Sequence, residues 1–246
     1  LWSYVRWPGA APATMRGAVV RVVLALVLLQ VGAAAFGLGI AAALLMSSPL
    51  RAPVLLSDGE DLPASTKDAL ERLSPNGAKL AGGAQVIRVG DVAKPEGYRT
   101  TDIRGTGPFA LARAIDRFQS AANGRTSDRV IVTSATAPGF AMPAAAWAAK
   151  GGDPVLYVHR DTIPAATRAA ISSHQRPRIY VLGPASVVSQ RVVSELRRLG
   201  SVTRIAGPDP VRNSIAFARF SDGSFGWGLV DPGHGLVFAN VRRPLD

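Results

Sequence analysis

The clearest pattern of hydrophobic and polar positions in this chain occurs twice. Residues Pro53–Leu73 recur, without a gap, 101 positions later as Pro154–His174. Each copy opens with a short apolar run, Val54–Leu56 or Val155–Val158, which is typical of a parallel strand buried on both faces. In both copies a proline and then an apolar stripe of helical period follow, which predicts an amphipathic helix. This internal repeat indicates a duplicated α/β unit.

The alternation of strands and helices continues along the chain and predicts two tandem units. In the first unit we predict strands at Val54–Ser57, Gln85–Val89 and Val130–Thr133, with helices at Pro63–Leu73, Pro108–Phe118 and Ala141–Lys150. In the second we predict strands at Val155–Val158, Arg178–Leu182, Val202–Ile205 and Gly226–Val230, with helices at Pro164–Ser173, Ser186–Leu199 and Pro210–Phe220. Strands that alternate with helices pair in parallel through right-handed crossovers. The predicted fold class is therefore α/β with tandem parallel-sheet repeats.

The two copies differ in length at one place. Ile103 aligns with Ile205 at an offset of 102 residues, but Gly90 aligns with Gly183 at an offset of only 93. The first unit is therefore predicted to lack the helix that follows Gly183 in the second unit.

A long apolar segment precedes the repeats. Val22–Met46 has 25 residues and is interrupted only by Gln30 and by glycines, whereas roughly 20 residues suffice to cross a bilayer. Arg6, Arg16 and Arg21 precede it, so the positive-inside rule places the N-terminus in the cytoplasm and the rest of the chain outside. We predict an N-terminal transmembrane helix that anchors the chain in the membrane, with the repeats on the extracellular, cell-wall side. A cleaved signal peptide, which would release the chain, is the alternative.

These features divide the chain into three predicted regions. Residues 1–50 form an N-terminal tail and a transmembrane or signal-anchor segment. Residues 51–152 form the first α/β repeat, and residues 153–246 form the second. Because the second region stops after a strand-like segment, we expect the repeats to continue into a third unit.

Composition limits the chemistry that the chain can support. The 246 residues include no cysteine and three histidines, which excludes disulfides, thiolate metal sites and a thiol nucleophile. The net charge is +11, from 28 basic and 17 acidic residues, and only four of the basic residues are lysine. Arginine suits phosphate and carboxylate groups, so a polyanionic partner is one interpretation. An arginine-rich composition that serves only solubility is the other.

Two motifs suggest enzymatic or cofactor sites, but both have structural explanations. Gly105–Ala110 fits the loose form G-x-G-x-x-A of dinucleotide-binding loops. The second copy does not keep that form, so we interpret it as a helix-capping turn. Ser134 would suit a hydrolase, but no G-x-S-x-G motif exists, and His174 falls on the inner stripe of its helix, where a packed histidine is expected. We therefore expect no enzyme activity, no metal and no cofactor.

Several ordered motifs resemble the bacterial cell wall-binding repeat 2 family. The family's apolar strand, its L-P helix, its V-Y-I-L-G-G segment, its R-I-A-G-x-D phrase and its F-P-D-A-L-A phrase correspond to Pro154–Tyr157, Ile163–Ile171, Ile179–Ser189, Arg204–Asp209 and Phe140–Ala149. The resemblance covers residues 53–246 and departs from the family at Pro210–Val211, where the family has Arg-Tyr. It implies a Rossmann-like repeat, usually present in threes, that attaches exported proteins non-covalently to anionic wall polymers without catalysis.

The predicted site follows from the topology of parallel sheets. Such sheets bind ligands at the carboxyl ends of their strands, where helix N-termini favour anions. The loops predicted there carry Arg104, Arg160 and Arg212, which we predict to contact a teichoic-acid-like or phosphorylated glycan polymer. A nucleic acid partner is not expected, because few aromatic residues accompany the arginines. The predicted function is a non-catalytic cell-envelope module. An exported Rossmann-like enzyme and a structural scaffold for a fused domain are the alternatives.

Overall fold

The computed structural model describes residues 26–30, 35–57 and 61–230. In this part of the chain, eight strands form two four-stranded sheets whose neighbouring strands all run parallel. The first sheet, in the order β2-β1-β3-β4, contains β1 (Leu26–Gln30), β2 (Val54–Ser57), β3 (Val86–Val89) and β4 (Thr100–Ile103). The second, in the order β6-β5-β7-β8, contains β5 (Arg129–Ser134), β6 (Val155–Val158), β7 (Arg178–Leu182) and β8 (Ser201–Ile205).

Helices connect the strands. The α-helices of the described residues are α1 (Ala35–Ala42), α2 (Ala64–Leu73), α3 (Gly107–Asn123), α4 (Pro138–Gly151), α5 (Ala165–Ser173), α6 (Gln190–Leu196) and α7 (Pro210–Arg219), with short 3-10 helices at Ala43–Met46 and Lys79–Ala81. Their ends follow from local sequence. Prolines stand in the first turns of α3, α4 and α7, where no amide donor is needed. Gly124 and Gly152 end α3 and α4 in the left-handed conformation.

The two sheets repeat one topology, which confirms the predicted tandem parallel α/β fold. In each sheet the first strand along the chain is an inner strand, paired on one side with the second strand and on the other with the third. The helix predicted to be missing from the first unit is indeed absent. Residues 90–99 join β3 to β4 without a helix, whereas α6 lies between β7 and β8.

An ion pair occupies the positions of the first sheet at which the second sheet has Val181 paired with Arg204. Arg88 on β3 stands at the position that Val181 occupies on β7, and Asp102 is its cross-strand neighbour on β4. The Arg88 guanidinium donates to both carboxylate oxygens of Asp102, at 2.7 and 2.6 Å. In the second unit, α6 buries Val192 and Leu196 completely. The first unit therefore lacks a covering helix and carries a polar pair that can face water.

The apolar segment Val22–Met46 does not form the predicted transmembrane helix in the residues described. It contains β1, the inner strand of the first sheet, followed by α1 and the 3-10 helix. Val27 of β1 pairs with Val54 on one side and with Ile87 on the other. Among the helices that the structure describes, none combines the length and the hydropathy that a bilayer-spanning helix requires. The structure therefore does not support the predicted membrane anchor in this segment. The arginines used to orient it lie outside the described residues.

The apolar character of this segment has another physical explanation. Ile40, Leu44 and Leu45 are at most 4% exposed, because α1 and the 3-10 helix after it pack against α3 and α4. An inner strand of a parallel sheet can likewise be apolar at every position. Mean hydropathy over 25 residues therefore cannot distinguish a strand and helix buried in protein from a helix buried in lipid.

The sheets group the strands differently from the predicted regions. β5 and α4 fall in region 51–152, but β5 pairs with β6 and β7 of the second sheet. β1 falls in region 1–50, but it belongs to the first sheet. We propose instead that one repeat comprises β1 to β4 and the next β5 to β8. Helix α3 connects them and packs against α1, α5 and β6.

The strand predicted at Gly226–Val230 is absent. Gly226 and Gly228 have φ of 95° and 61°, which is incompatible with an extended strand. The segment instead folds back on the end of α7, where the Gly228 amide donates to the Phe220 carbonyl at 2.9 Å. Phe225 is 1% exposed and stacks on Tyr180 with ring centres 3.6 Å apart. Aromatic packing rather than strand pairing therefore holds this segment.

Candidate functional site

The carboxyl ends of the strands meet the amino ends of the helices along one edge of each sheet, which we call the carboxyl edge. In the second sheet it is formed by residues 135–137, 159–164, 183–189 and 206–209. Partial positive charge at the helix N-termini makes such an edge suitable for anions. This is where the predicted arginines were expected.

Arg160 lies at the carboxyl edge, directly after β6. Its guanidinium contacts the Asp161 carboxylate at 2.8 Å and donates to the Ser186 carbonyl at 3.1 Å. The Ser189 amide in turn donates to the Arg160 carbonyl at 2.8 Å. Arg160 therefore holds the loop after β7 against the loop after β6, and a neighbouring carboxylate offsets its charge.

Arg212 lies in the first turn of α7, at the other end of the same edge. Asp209 caps this helix by accepting a hydrogen bond from the Arg212 amide at 2.8 Å, and its other oxygen lies 3.0 Å from the Arg212 guanidinium. The amide hydrogen bond is the main reason why the pKa of Asp209 is lowered. Arg212 is thus paired with the carboxylate that caps its own helix.

Arg104 follows β4 in the first sheet. It lies 2.7 Å from Asp102, whose two oxygens already accept hydrogen bonds from Arg88. The Arg88 hydrogen bond is the largest reason why the pKa of Asp102 is lowered. The Arg104 side chain is 76% exposed. The cluster of two arginines and one carboxylate has a net charge of one.

The structure places all three predicted arginines at carboxyl edges but does not gather them into one pocket. Arg160 and Arg212 follow the two outer strands of the second sheet. These two strands are three strand spacings, or about 14 Å, apart. Phe109 in the first turn of α3 lies 4.7 Å from the ring of His159. That contact brings the chain just after Arg104 against the end of β6. Binding by these arginines stays a prediction.

The glycine loops at this edge are explained by packing. A Cβ on Gly105 would lie 2.6 Å from the Leu111 amide nitrogen, and one on Gly207 would lie 2.3 Å from backbone atoms of the first turn of α7. Each loop passes so close to the helix that follows it that a side chain would collide with the backbone. Gly105 and Gly207 thus serve helix packing, each in its own copy.

His174 and Ser134 have structural partners. His174 ends α5 with its side chain fully buried, 2.9 Å from the Asp116 carboxylate and 2.7 Å from the Ser127 carbonyl. Ser134 is buried at the end of β5 and shares a hydrogen bond with Thr136 at 3.1 Å. In the described part of the chain, no three histidine or acidic side chains gather as a metal site would require.

The opposite edge of the second sheet, which we call the amino edge, carries cations that the motifs did not single out. There β5 to β8 begin and α3 to α7 end. Its cationic side chains are Arg125, Arg129, Lys150, Arg176, Arg178, Arg197, Arg198 and Arg219. A signal was present in the sequence, because all of them except Arg125 fall near the end of a predicted helix or the start of a predicted strand.

Comparison with known proteins supports the fold and identifies a family. The Amidase enhancer of Bacillus subtilis (strain 168) is 24% identical over 164 residues, which are 66% of this chain and 21% of that protein. Cwp6 from Clostridium difficile matches with a TM-score of 0.66 and 21% identity, over 77% of this chain and 30% of that one. Cwp8 from the same organism matches with a TM-score of 0.62 and 22% identity, over 78% and 32%. At these identities the structural likeness shows the fold alone, and the chain spans between about a fifth and a third of these relatives.

The family match lies in the best-defined repeat motifs. The family model described as Cell wall binding domain 2 (CWB2) matches residues 103–193. This range runs from the last residue of β4, through the G-x-G turn and the second copy of the repeated stretch, into α6. Residues 103–193 therefore match the cell wall binding domain 2 family, to which the repeat motifs had pointed.

Proposed function

We propose that this chain is a non-catalytic module that binds non-covalently to a polymer of the bacterial cell wall. The observation that carries the proposal is the CWB2 match over residues 103–193. The matched range contains β5, β6 and β7 of the second sheet, so the binding role is assigned to a folded unit rather than to a short motif. We place the protein at the cell wall for the same reason.

We further propose that the wall polymer is anionic, as in a teichoic acid or a phosphorylated glycan. The support is the net charge of +11, almost all of it from arginine. Arginine presents a rigid fork of donors that matches phosphate and carboxylate oxygens. We also propose that the repeats pack in threes, within one chain or between chains, as the resemblance implies.

The absence of catalysis in this proposal rests on the surroundings of the candidate groups. The buried His174 is committed to Asp116 and to a backbone carbonyl, so it is not available as a general base at the carboxyl edge. Ser134 has Thr136, not a histidine, as its hydrogen-bonding side chain. A hydrolase needs nucleophile and base within hydrogen-bond reach of each other.

The test is retention of the purified chain on isolated cell walls across a range of salt. Binding through arginines should weaken as the Debye length falls from ~10 Å at 0.1 M to ~3 Å at 1 M salt. The predicted contacts are tested by the carboxyl-edge variant, which combines Arg104→Ala, Arg160→Ala and Arg212→Ala. Salt-independent retention would contradict an anionic ligand. No retention at any salt would contradict wall binding and favour a scaffold role.

A further inference from the structure

Charge is distributed unevenly between the two edges of the second sheet. At the carboxyl edge, five cationic side chains face three carboxylates, so that edge has only two excess positive charges. These groups are Arg160, Arg168, Arg191, Arg204 and Arg212, with Asp161, Glu195 and Asp209. The eight cationic side chains of the amino edge face three carboxylates, which are Asp128, Asp153 and Asp222. The amino edge therefore has five excess positive charges. Anions should be drawn to it in preference to the carboxyl edge.

Much of this excess is accessible. Arg176, Arg197 and Arg198 are exposed, and none of them takes part in the ion pairs of the described residues. The carboxylates offer little compensation. Asp153 is fully buried and compensates Arg129, and Asp222 accepts hydrogen bonds from the Tyr180 hydroxyl and from the Ser224 hydroxyl and amide.

Two further arginines are held side by side at the centre of the edge. Arg129 and Arg178 begin the inner strands β5 and β7 and are direct partners in the register. Both bind the same residue, because Arg129 donates to the Ser224 carbonyl at 2.9 Å and Arg178 to its hydroxyl at 2.8 Å. Adjacent strands are about 4.8 Å apart. Two guanidinium groups are thus fixed at neighbouring positions, without a ligand having to order them.

Helix stability alone does not account for these positions. A cation in the last turn of a helix offsets the negative end of its dipole, which explains Arg219 at the end of α7. Arg129 and Arg178 begin strands, where no such benefit exists. Gln175 and Arg176 have φ of 55° and 65°, a conformation that favours glycine or asparagine. The fold therefore does not require arginine at Arg176 or Arg178, whereas Arg129 also compensates the buried Asp153.

We propose that the amino edge of the second sheet binds the anionic polymer, with Arg176, Arg197 and Arg198 as mobile contacts around the fixed pair of Arg129 and Arg178. The inference rests on the proposed function, since it names the surface and the ligand charge for that role. The four strand starts extend over about 14 Å, enough for several charged groups of a linear polymer. The groups recognised are phosphodiesters or carboxylates, which the arginine fork matches equally.

The test compares two variants that each remove three positive charges. The amino-edge variant combines Arg176→Ala, Arg197→Ala and Arg198→Ala, all at exposed positions, and the carboxyl-edge variant is its matched control. Both are tested for retention on isolated walls and for binding to sodium polyphosphate and poly-glutamate in solution, after far-UV circular dichroism has verified folding. We expect the amino-edge variant to bind at least tenfold more weakly with a flatter salt dependence, and the carboxyl-edge variant to stay within twofold of the parent chain.

Each result is decisive for the surface. An equal loss in both variants would overturn the proposal in favour of net charge, and a loss confined to the carboxyl-edge variant would overturn it in favour of that edge. If the parent chain is not retained on walls, the proposed function fails, while the polyphosphate and poly-glutamate measurements still compare the two edges. Walls stripped of phosphate polymers with hydrofluoric acid distinguish the ligand groups. Loss of retention on them identifies phosphodiesters, and unchanged retention identifies carboxylates.

Discussion

The buried carboxylate of Asp153 should be among the most sensitive positions of the second unit. Its side chain is 1% exposed and accepts hydrogen bonds from Trp147 Nε1 at 2.7 Å, Ser127 Oγ at 2.7 Å and Arg129 Nε at 3.2 Å. Asp153→Ala removes the acceptor for all three donors at once. It also leaves a partly buried guanidinium without its closest counter-charge.

The magnitude follows from that burial. Removing one partner of a buried ion pair costs about 3–5 kcal/mol, because the remaining charge is no longer compensated. A typical free energy of unfolding is about 5–15 kcal/mol, so the loss would be a large share of the total. With a urea dependence of about 2 kcal/mol/M, the unfolding midpoint should fall by about 1.5–2.5 M.

The measurement is urea unfolding followed by far-UV circular dichroism, with Asp128→Ala as a matched control. Asp128 is also near Arg129, at 3.7 Å, but its side chain is 69% exposed. An exposed pair contributes about 0–1 kcal/mol, so the control should shift the midpoint by less than about 0.5 M. Equal shifts for the two variants, or a shift below about 0.5 M for Asp153→Ala, would refute the argument from burial.

Two further changes test the buried histidine and the glycine turn. Burial lowers the pKa of His174, but the hydrogen bond and charge of Asp116 outweigh it and raise that pKa above its usual value. Protonated His174 should therefore stabilise the fold fully below pH ~6.5 and lose that effect as the pH rises through the raised pKa. His174→Gln should remove this dependence in urea unfolding between pH 5.5 and 9, and an unchanged profile would assign it to another group. Gly207→Ala should destabilise by about 1–3 kcal/mol, because its Cβ would lie 2.3 Å from the backbone of Arg212. Thermal unfolding measures this loss, and Ala206→Ser, at the exposed neighbouring position, should be nearly neutral in the same assay.

The repeated α/β architecture was determined by the sequence alone. Short apolar runs and helical stripes record which residues are buried, and burial imposes the periods of strands and helices locally. Comparison of the two copies even predicted the helix missing between β3 and β4, because a shorter spacing leaves no residues to form it. The resemblance to the CWB2 family rested on the same motifs.

The apolar segment Val22–Met46 shows where local pattern fails. Its hydropathy indicates burial but does not identify what surrounds it. Only the pairing of β1 with β2 and β3, and the packing of α1 on α3 and α4, shows that protein surrounds it. Gly226–Val230 fails for a different reason: its residues are at most half-buried and Val230 is exposed, while the preceding Phe225 packs on Tyr180 without strand pairing.

The candidate site divides in the same way. Strand ends are local features, so the sequence alone placed Arg104, Arg160 and Arg212 at the carboxyl edges. A carboxylate lies within three residues of each of these arginines in the sequence, but only the tertiary structure showed that each guanidinium contacts it. It also brought cations from five separate connections to one amino edge, because parallel strands begin together however far apart they lie in the chain.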